Sequence, residues 1–413
     1  TKKRGRWDDS SDDDDDDVNV DKKTKPQDQD QQQASKTSTA GVTKNSSSSA
    51  SVSSSNIKIH NPLLDGCRSV YDTYERIEKI SEGTYGIVWK ARDLTVAEDA
   101  AAGADHGGEE HDDEIVALKQ IKFDSNVENQ QGFPVTALRE INVLMELFGH
   151  RNLVSVKEMV VGSDTRHQIY MVMEYFDLDL CQAMSKRVYP NVLRQGELKG
   201  VLQQILQGMA YMHSKYFMHR DMKTSNILVH KSDGRVALCD LGLARRYTDP
   251  PSKNLTHPVV TLYYRSPELL FGLQKYTPAI DMWSVGCIFG ELITQQPIMT
   301  GQGELDQIDK IFTMLGTGPT QDNWPGFAEL PTAKIFKWRP KGSGTTPLLQ
   351  QLFPSNPLQA QSSKQTYLDG NGYDLLTKLL TLDPSKRITA QDALNHKYFT
   401  EGVKPTPPNF WDF

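Results

Sequence analysis

The segment His219-Arg220-Asp221-Met222-Lys223-Thr224-Ser225-Asn226 has residue types and spacing suited to moving a phosphoryl group. That reaction needs a carboxylate to orient the attacking hydroxyl and take its proton, and a cation to neutralise the charge developing on phosphate. Asp221 fits the first need, Asn226 fits a metal ligand, and Lys223 can steady the transferred group. An isolated His-Arg-Asp triplet is a common surface composition, and three further segments in a fixed order give it meaning. Asp240-Leu241-Gly242 follows a strand-like run and supplies a second ligand, Asp240, for a Mg²⁺ bridging the β- and γ-phosphates. Val116-Ala117-Leu118-Lys119 reads as a strand ending in a lysine that holds the α- and β-phosphates, with Glu140 on the next helix as its partner. From Ile80 to Val88 the chain reads as a hairpin whose Gly83 and Gly86 let backbone N–H groups approach a nucleotide, although Ser81 replaces the first glycine of a G-x-G-x-x-G pattern. Farther along, Ser266-Pro267-Glu268 is matched by Arg387, a residue type able to grip Glu268 with two hydrogen bonds.

The elements that must position these residues follow from periodicity. Short alternating runs rich in β-branched and aromatic residues predict strands at Tyr74–Ile80, Ile87–Arg92, Ile115–Ile121, Val156–Val161 and Tyr170–Tyr175. An amphipathic helix is expected over Val135–Phe148, with Leu138, Ile141, Leu144 and Met145 on one face. Residues 94–114, rich in Ala, Gly and acid, read as a flexible insertion. After Asp177 the period becomes helical, at Leu198–His213, Ala279–Thr294, Gly372–Leu380 and Ala390–Asn395. The expected fold class is therefore α+β: a β-rich small lobe (74–177) joined by a short hinge to a larger helical lobe (178–400), with a cleft between them. Residues 57–73 are a lead-in and 401–413 a C-terminal tail.

Composition sets the outer bounds. A chain of 413 residues, 37% hydrophobic and 24% charged, is long enough for two packed lobes plus tails. Residues 1–56 hold almost no large apolar side chains, so they cannot offset the entropy of ordering and are expected to be a disordered tail. The net charge of -7 hides a basic start, Lys2 to Arg6, followed by an unbroken run from Asp12 to Asp17. The serine runs at 46–49 and 53–55 are phosphorylation candidates, with plain linker as the default. Cys67, Cys181, Cys239 and Cys287 form no C-x-x-C pair, which argues for reduced thiols and against a zinc site. No apolar run reaches the length of a membrane span and no signal-peptide core stands near the start. The chain begins with Thr1 rather than Met, as a fragment or processed product would.

In combination these segments resemble the eukaryotic protein kinases, and within them the cyclin-dependent group. Pro134-Val-Thr-Ala-Leu-Arg-Glu140 is similar to that group's cyclin-binding helix, and it also approaches the P-I-T-A-L-R-E of an elongation-type relative. Gly66 to Val70, Val160 to Ser163, Asp221 to Asn226, Asp281 to Leu292 and Trp324-Pro-Gly326 are similar to the PITSLRE-type kinases, which pair with L-type cyclins. The resemblance covers roughly residues 66 to 400. It implies a bilobal protein kinase fold, ATP and Mg²⁺ as cofactors, a cyclin partner, and transfer to serine or threonine followed by proline. By position it implies that Ile80, Val88, Ala117 and Leu228 sandwich adenine. Met173 would lie behind the base, Glu174 and Phe176 would offer hinge hydrogen bonds, and Asp179 would reach the ribose. Val260 and Arg265 match the pair that shapes a pocket for the substrate proline. Thr256 matches an activating phosphothreonine, made by a separate activating kinase and received by Arg139, Arg220 and Arg245. Thr84 and Tyr85 match inhibitory phosphorylation positions, with plain loop-tip residues as the even alternative. The setting implied is the nucleus, with the cytoplasm as a second location, in transcription, RNA processing or cell-cycle control. Two other classes stay open. Ser81, Leu241, Ser266 and the insertion would suit a pseudokinase or scaffold. The basic start would suit a nucleic-acid binder, which the adjacent Asp run opposes.

Overall fold

A computed structural model of the chain describes residues 66–83, 86–95, 115–121, 135–162, 168–186, 193–251, 254–255, 260–335, 347–353 and 368–409. All of them belong to one unit, Asn61–Phe413. Thr84, Tyr85, Thr256, the tail at 1–56 and nearly all of the 94–114 insertion lie outside the described residues.

The described chain opens with a short helix, α1 (Val70–Thr73), then strands β1 (Tyr74–Gly83), β2 (Gly86–Asp93) and β3 (Ile115–Ile121). Helix α2 (Val135–Glu146) and strands β4 (Val156–Val161) and β5 (Ile169–Glu174) complete the small lobe. Its sheet is antiparallel with order β1-β2-β3-β5-β4. The register places Lys119 beside Val88 on one side and Met171 on the other. Val116 and Leu118 point into the sheet's own core with Tyr74, Val160 and Val172, which leaves Lys119 on the opposite face, toward the cleft. The described part of the lead-in, from Gly66 on, is tied to this lobe. Val161 N–H donates to the Arg68 carbonyl at 3.0 Å, and the Arg68 guanidinium grips Glu158.

The expected face of α2 is corrected by the structure. Ala137, Glu140, Val143, Leu144 and Leu147 are buried, whereas Leu138 is 44% exposed and Met145 69% exposed. The helix turns a charged residue inward because Lys119 waits there, and its most apolar outer side chains face away. It also ends at Glu146 rather than Phe148, ahead of Gly149 with its φ of +89°.

The large lobe begins with β6 (Leu178–Asp179), α3 (Leu180–Lys186) and α4 (Gln195–Ser214), followed by β7 (Phe217–Met218), β8 (Ile227–Val229), β9 (Val236–Leu238) and β10 (Arg245–Arg246). The helices α5 (Pro267–Leu270), α6 (Ala279–Thr294), α7 (Glu304–Leu315), α8 (Leu348–Leu352), α9 (Gly370–Leu379), α10 (Ala390–Leu394) and α11 (Lys397–Thr400) follow. Helix α6 is apolar on nearly every side, and Ile280 through Ile293 are all buried, so it forms the spine of the lobe's core. Glu268 and Arg387, both without exposed side-chain surface, form the expected two-bond pair at 2.7 and 2.9 Å, which ties α5 to the segment before α10. None of the four cysteines forms a disulfide. No described helix is long and apolar enough to cross a membrane.

Candidate active site

Four elements converge on the cleft. Lys119, at the cleft end of β3, meets Glu140 of α2 with Nζ 2.5 Å from Oε1. Burial alone would lower the lysine's pKa, but Glu140 and Asp240 outweigh it and hold the ammonium above its ordinary value. Lys119 is therefore a permanent cation in the wall of the cleft. A cavity of about 380 Å³ lies beneath it, large enough for a nucleotide. Ile80, Gly86, Val88, Ala117, Met173, Glu174, Phe176, Asp179 and Leu228 line it, together with Glu140 and Asp240. Gly83 closes β1 opposite Gly86 at the hairpin. At Gly86 an added Cβ would fall 2.2 Å from the Gln120 carbonyl oxygen, so no side chain fits there.

The loop after β7 carries Asp221. One carboxylate oxygen accepts from the Thr261 N–H at 3.1 Å and the Thr261 hydroxyl at 3.0 Å. The other lies 3.1 Å from Lys223 Nζ and accepts from the Asn226 amide at 3.2 Å. Burial pushes the Asp221 pKa up, yet Lys223 and Thr261 more than reverse this and keep the group below the usual carboxylate range. The side chain is thus ionised and aimed, as a group that orients a hydroxyl must be. Asn226 Nδ2 is spent on Asp221, donating also to its carbonyl at 2.8 Å, and the amide oxygen takes no part in those bonds. That oxygen and the Asp240 carboxylate would be hard, oxygen-only ligands from two residues, a donor set that would suit a Mg²⁺. Among the described residues no group of three or more His, Cys, Asp or Glu forms a closed metal site.

The loop's shape has a cause that the sequence did not disclose. Asp281, at the start of α6, accepts from the His219 N–H at 3.0 Å, the Arg220 N–H at 2.9 Å and the His213 ring at 3.0 Å. Burial would raise its pKa, but these donors hold the carboxylate down. Arg220 sits at a φ of +71°, a left-handed conformation costly for a side-chain-bearing residue, and Asp281 secures it. His219 bridges onward, with its N–H at Nε2 donating to the Cys239 carbonyl at 3.0 Å and Nδ1 accepting from Asp221 N–H at 3.3 Å. This aligns the loop with Asp240, itself at a φ of +58°. Leu241 is 1% exposed and packs in the main core, an apolar anchor for that turn. Asp281 was visible in the sequence as one of two carboxylates, with Glu291, in a mainly apolar helix. Thr261 gave no comparable signal, since its role depends on a contact forty residues away in sequence.

The arginines expected to receive phosphothreonine lie close enough to influence one another. Arg220 is lowered in pKa by burial and by Arg139, and Arg245 by burial and then by Arg220 and Arg139. Arg220 also donates to the Leu243 carbonyl at 2.9 Å and to the Tyr276 hydroxyl at 2.7 Å. At the far side of the cleft Val260 has a φ of +69°, and its carbonyl accepts from Arg265 Nε at 3.1 Å and Nη2 at 3.0 Å.

Residues 74–399 match the family described as the protein kinase domain. Cyclin-dependent kinase G-2 of Oryza sativa subsp. indica is 44% identical over 349 residues, covering 84% of this chain and 44% of that protein. Cyclin-dependent kinase G1 of Arabidopsis thaliana is 43% identical, covering 84% of this chain and 52% of that protein. Cyclin-dependent kinase 11B of Homo sapiens is 41% identical, covering 85% and 39%. The chain thus spans about half the length of the curated relatives it matches, or less.

Proposed function

The chain belongs to the protein kinase family, and from that premise we propose that it is a cyclin-dependent protein serine/threonine kinase. It transfers the γ-phosphate of ATP to serine or threonine followed by proline. The observation that carries this reading is Asp221, ionised and held by Thr261, Lys223 and Asn226, in a chain that also forms the Lys119–Glu140 pair. Asp221 takes the hydroxyl proton of the protein substrate, Lys223 steadies the departing phosphate, and Lys119 holds the α- and β-phosphates. Asn226 and Asp240 would hold a Mg²⁺, which would supply charge neutralisation on the phosphates. The intact Lys119–Glu140 pair and the buried Leu241 favour an active enzyme over a scaffold.

Specificity rests on Val260. Because Arg265 occupies its carbonyl, a residue following the target Ser or Thr finds no acceptor for its N–H there, and proline has none to place. The partner is a cyclin, of the L type by the resemblance, seated on α2 so that Glu140 stays at Lys119. Phosphothreonine at 256, written by an activating kinase, is received by Arg139, Arg220 and Arg245. A nuclear role in transcription and RNA processing follows from the resemblance. The test is phosphorylation of a Ser-Pro peptide by the complex with an L-type cyclin. Asp221→Asn is expected to lower kcat by about 10²- to 10⁴-fold with peptide binding retained. Equal incorporation by that variant sinks the role given to Asp221.

A further inference from the structure

After α11 the chain turns back and lies along α4 as a strap without regular secondary structure. Thr406 N–H donates to the Gly196 carbonyl at 2.9 Å, and Asn409 N–H to Glu197 Oε1 at 3.2 Å. The helix is cut away to receive it. An added Cβ at Gly200 would lie 1.9 Å from the Thr406 carbonyl oxygen, and one at Gly196 would lie 2.8 Å from Thr406 Oγ1. Gly234, in the turn between β8 and β9, would meet the Pro408 carbonyl oxygen at 2.4 Å. Three glycines therefore form a track in which backbone packs on backbone with no spare room.

The residue held most closely in that track is followed by proline. The sequence has four Ser/Thr-Pro pairs: Ser266, Thr277, Thr346 and Thr406. Ser266 is fully buried, Thr277 is half-buried and accepts from the Ala279 N–H at the start of α6, and Thr346 lies outside the described residues. Thr406 is exposed at the surface, in a stretch without helix or strand.

We propose that Thr406 is a phosphorylation site for this chain's own activity, and that the phosphate releases the strap from the α4 glycine track. The inference rests on the Ser/Thr-Pro reading above. In the transfer, Thr406 Oγ1 forms a bond to the γ-phosphorus of ATP while that phosphorus loses its bond to the β,γ-bridging oxygen. ADP leaves with the electron pair, and the hydroxyl proton passes to Asp221. A phosphate on Thr406 Oγ1 crowds Gly196, where an added Cβ would already lie 2.8 Å from that oxygen, and brings a dianion near Glu197, the carboxylate that holds the strap's Asn409 N–H.

The experiment uses an isotopically labelled full chain carrying Asp221→Asn as substrate, and the wild-type chain co-expressed with an L-type cyclin as enzyme. ATP, magnesium and a Ser-Pro peptide are present in the same reaction. Mass spectrometry is expected to find phosphate at Thr406 of the labelled chain and none at that position in a Thr406→Ala version. Labelling of the peptide without Thr406 overturns the inference and leaves the functional reading standing. Labelling of neither removes that reading, and the inference falls with it. Hydrogen exchange of the product is expected to show the Thr406 and Asn409 amides opening about tenfold more readily; unchanged or slower exchange overturns release. Gly200→Ala should free the strap without phosphate and speed Thr406 labelling several-fold, and an unchanged rate argues that the track does not hold Thr406 back.

Discussion

At the scale of single residues, the cleft runs on opposed pKa influences whose balance is visible side chain by side chain. Burial pushes the Asp221 pKa up, and Lys223 and the Thr261 donors more than reverse that push. Its folded pKa is depressed, so the carboxylate is present above that value and is lost as pH falls through it. The acid limb of kcat/KM is therefore expected below about pH 3.9, the value of an unperturbed aspartate. Lys223→Met removes the largest of the favourable influences and leaves burial in place, so the limb should move to higher pH as well as kcat falling. A pH profile on a Ser-Pro peptide checks this, using the wild type and variant with matched buffers. A limb that stays put would mean that Lys223 acts on the phosphate alone. The chemistry-bearing residues of the loop were legible in the sequence because they sit close together and in order. Thr261 and Asp281 were not assigned roles, because each acts on the loop from a segment far along the chain.

At the scale of elements, what was legible depended on where an element's hydrogen bonds go. Strands β3 and β4 and helix α6 have the ends expected, since β-branched alternation or an unbroken apolar run marks both of them. Helix α4 starts three residues early, at Gln195, because its first turn of Gln-Gly-Glu carries no apolar signal. The two-residue strands β6, β7 and β10 left no trace in the pattern, as their partners are distant. Helix α2 is the instructive miss. Periodicity alone assigned Leu138 and Met145 inward, and the ion pair with Lys119 overrode it, leaving Leu138, Met145 and Phe148 exposed along one side. Large exposed apolar side chains grouped on one helix mark a contact surface, and this one backs directly onto Glu140. Met145→Glu is expected to weaken recovery of the cyclin in co-purification by tenfold or more, about 1.4 kcal/mol or greater, with no change in melting temperature, because Met145 makes little contact with its own fold. Full recovery of the cyclin would place the partner elsewhere.

At the scale of the whole molecule, the two lobes are joined through contacts at residues that also line the cavity. Glu174, at the end of β5, accepts from the Ser155 N–H at 2.7 Å with one oxygen and from Arg235 Nη2 at 2.6 Å with the other. The same Arg235 guanidinium lies 4.7 Å from the Phe176 ring centroid, and Lys231 N–H donates to Asp177 at 2.7 Å. The β8–β9 turn of the large lobe thus grips three hinge residues, and Gln204 of α4 grips the turn through the Gly234 carbonyl at 3.0 Å. The strap's Pro408 covers Gly234 from outside. The catalytic loop is held independently, by Asp281. These two anchorages separate nucleotide binding from chemistry. Arg235→Ala leaves one Glu174 oxygen without its cation and removes the stacking on Phe176, so KM for ATP should rise roughly three- to tenfold, a loss on the order of 1 kcal/mol. The value of kcat should stay within about twofold, since nothing that fixes Asp221 has changed. Arg235→Lys restores charge but not the planar stack, and should recover only part of the loss. Steady-state kinetics with ATP varied at saturating peptide decides the matter. If kcat falls while KM holds, the turn positions the catalytic loop as well, and the two anchorages act as one.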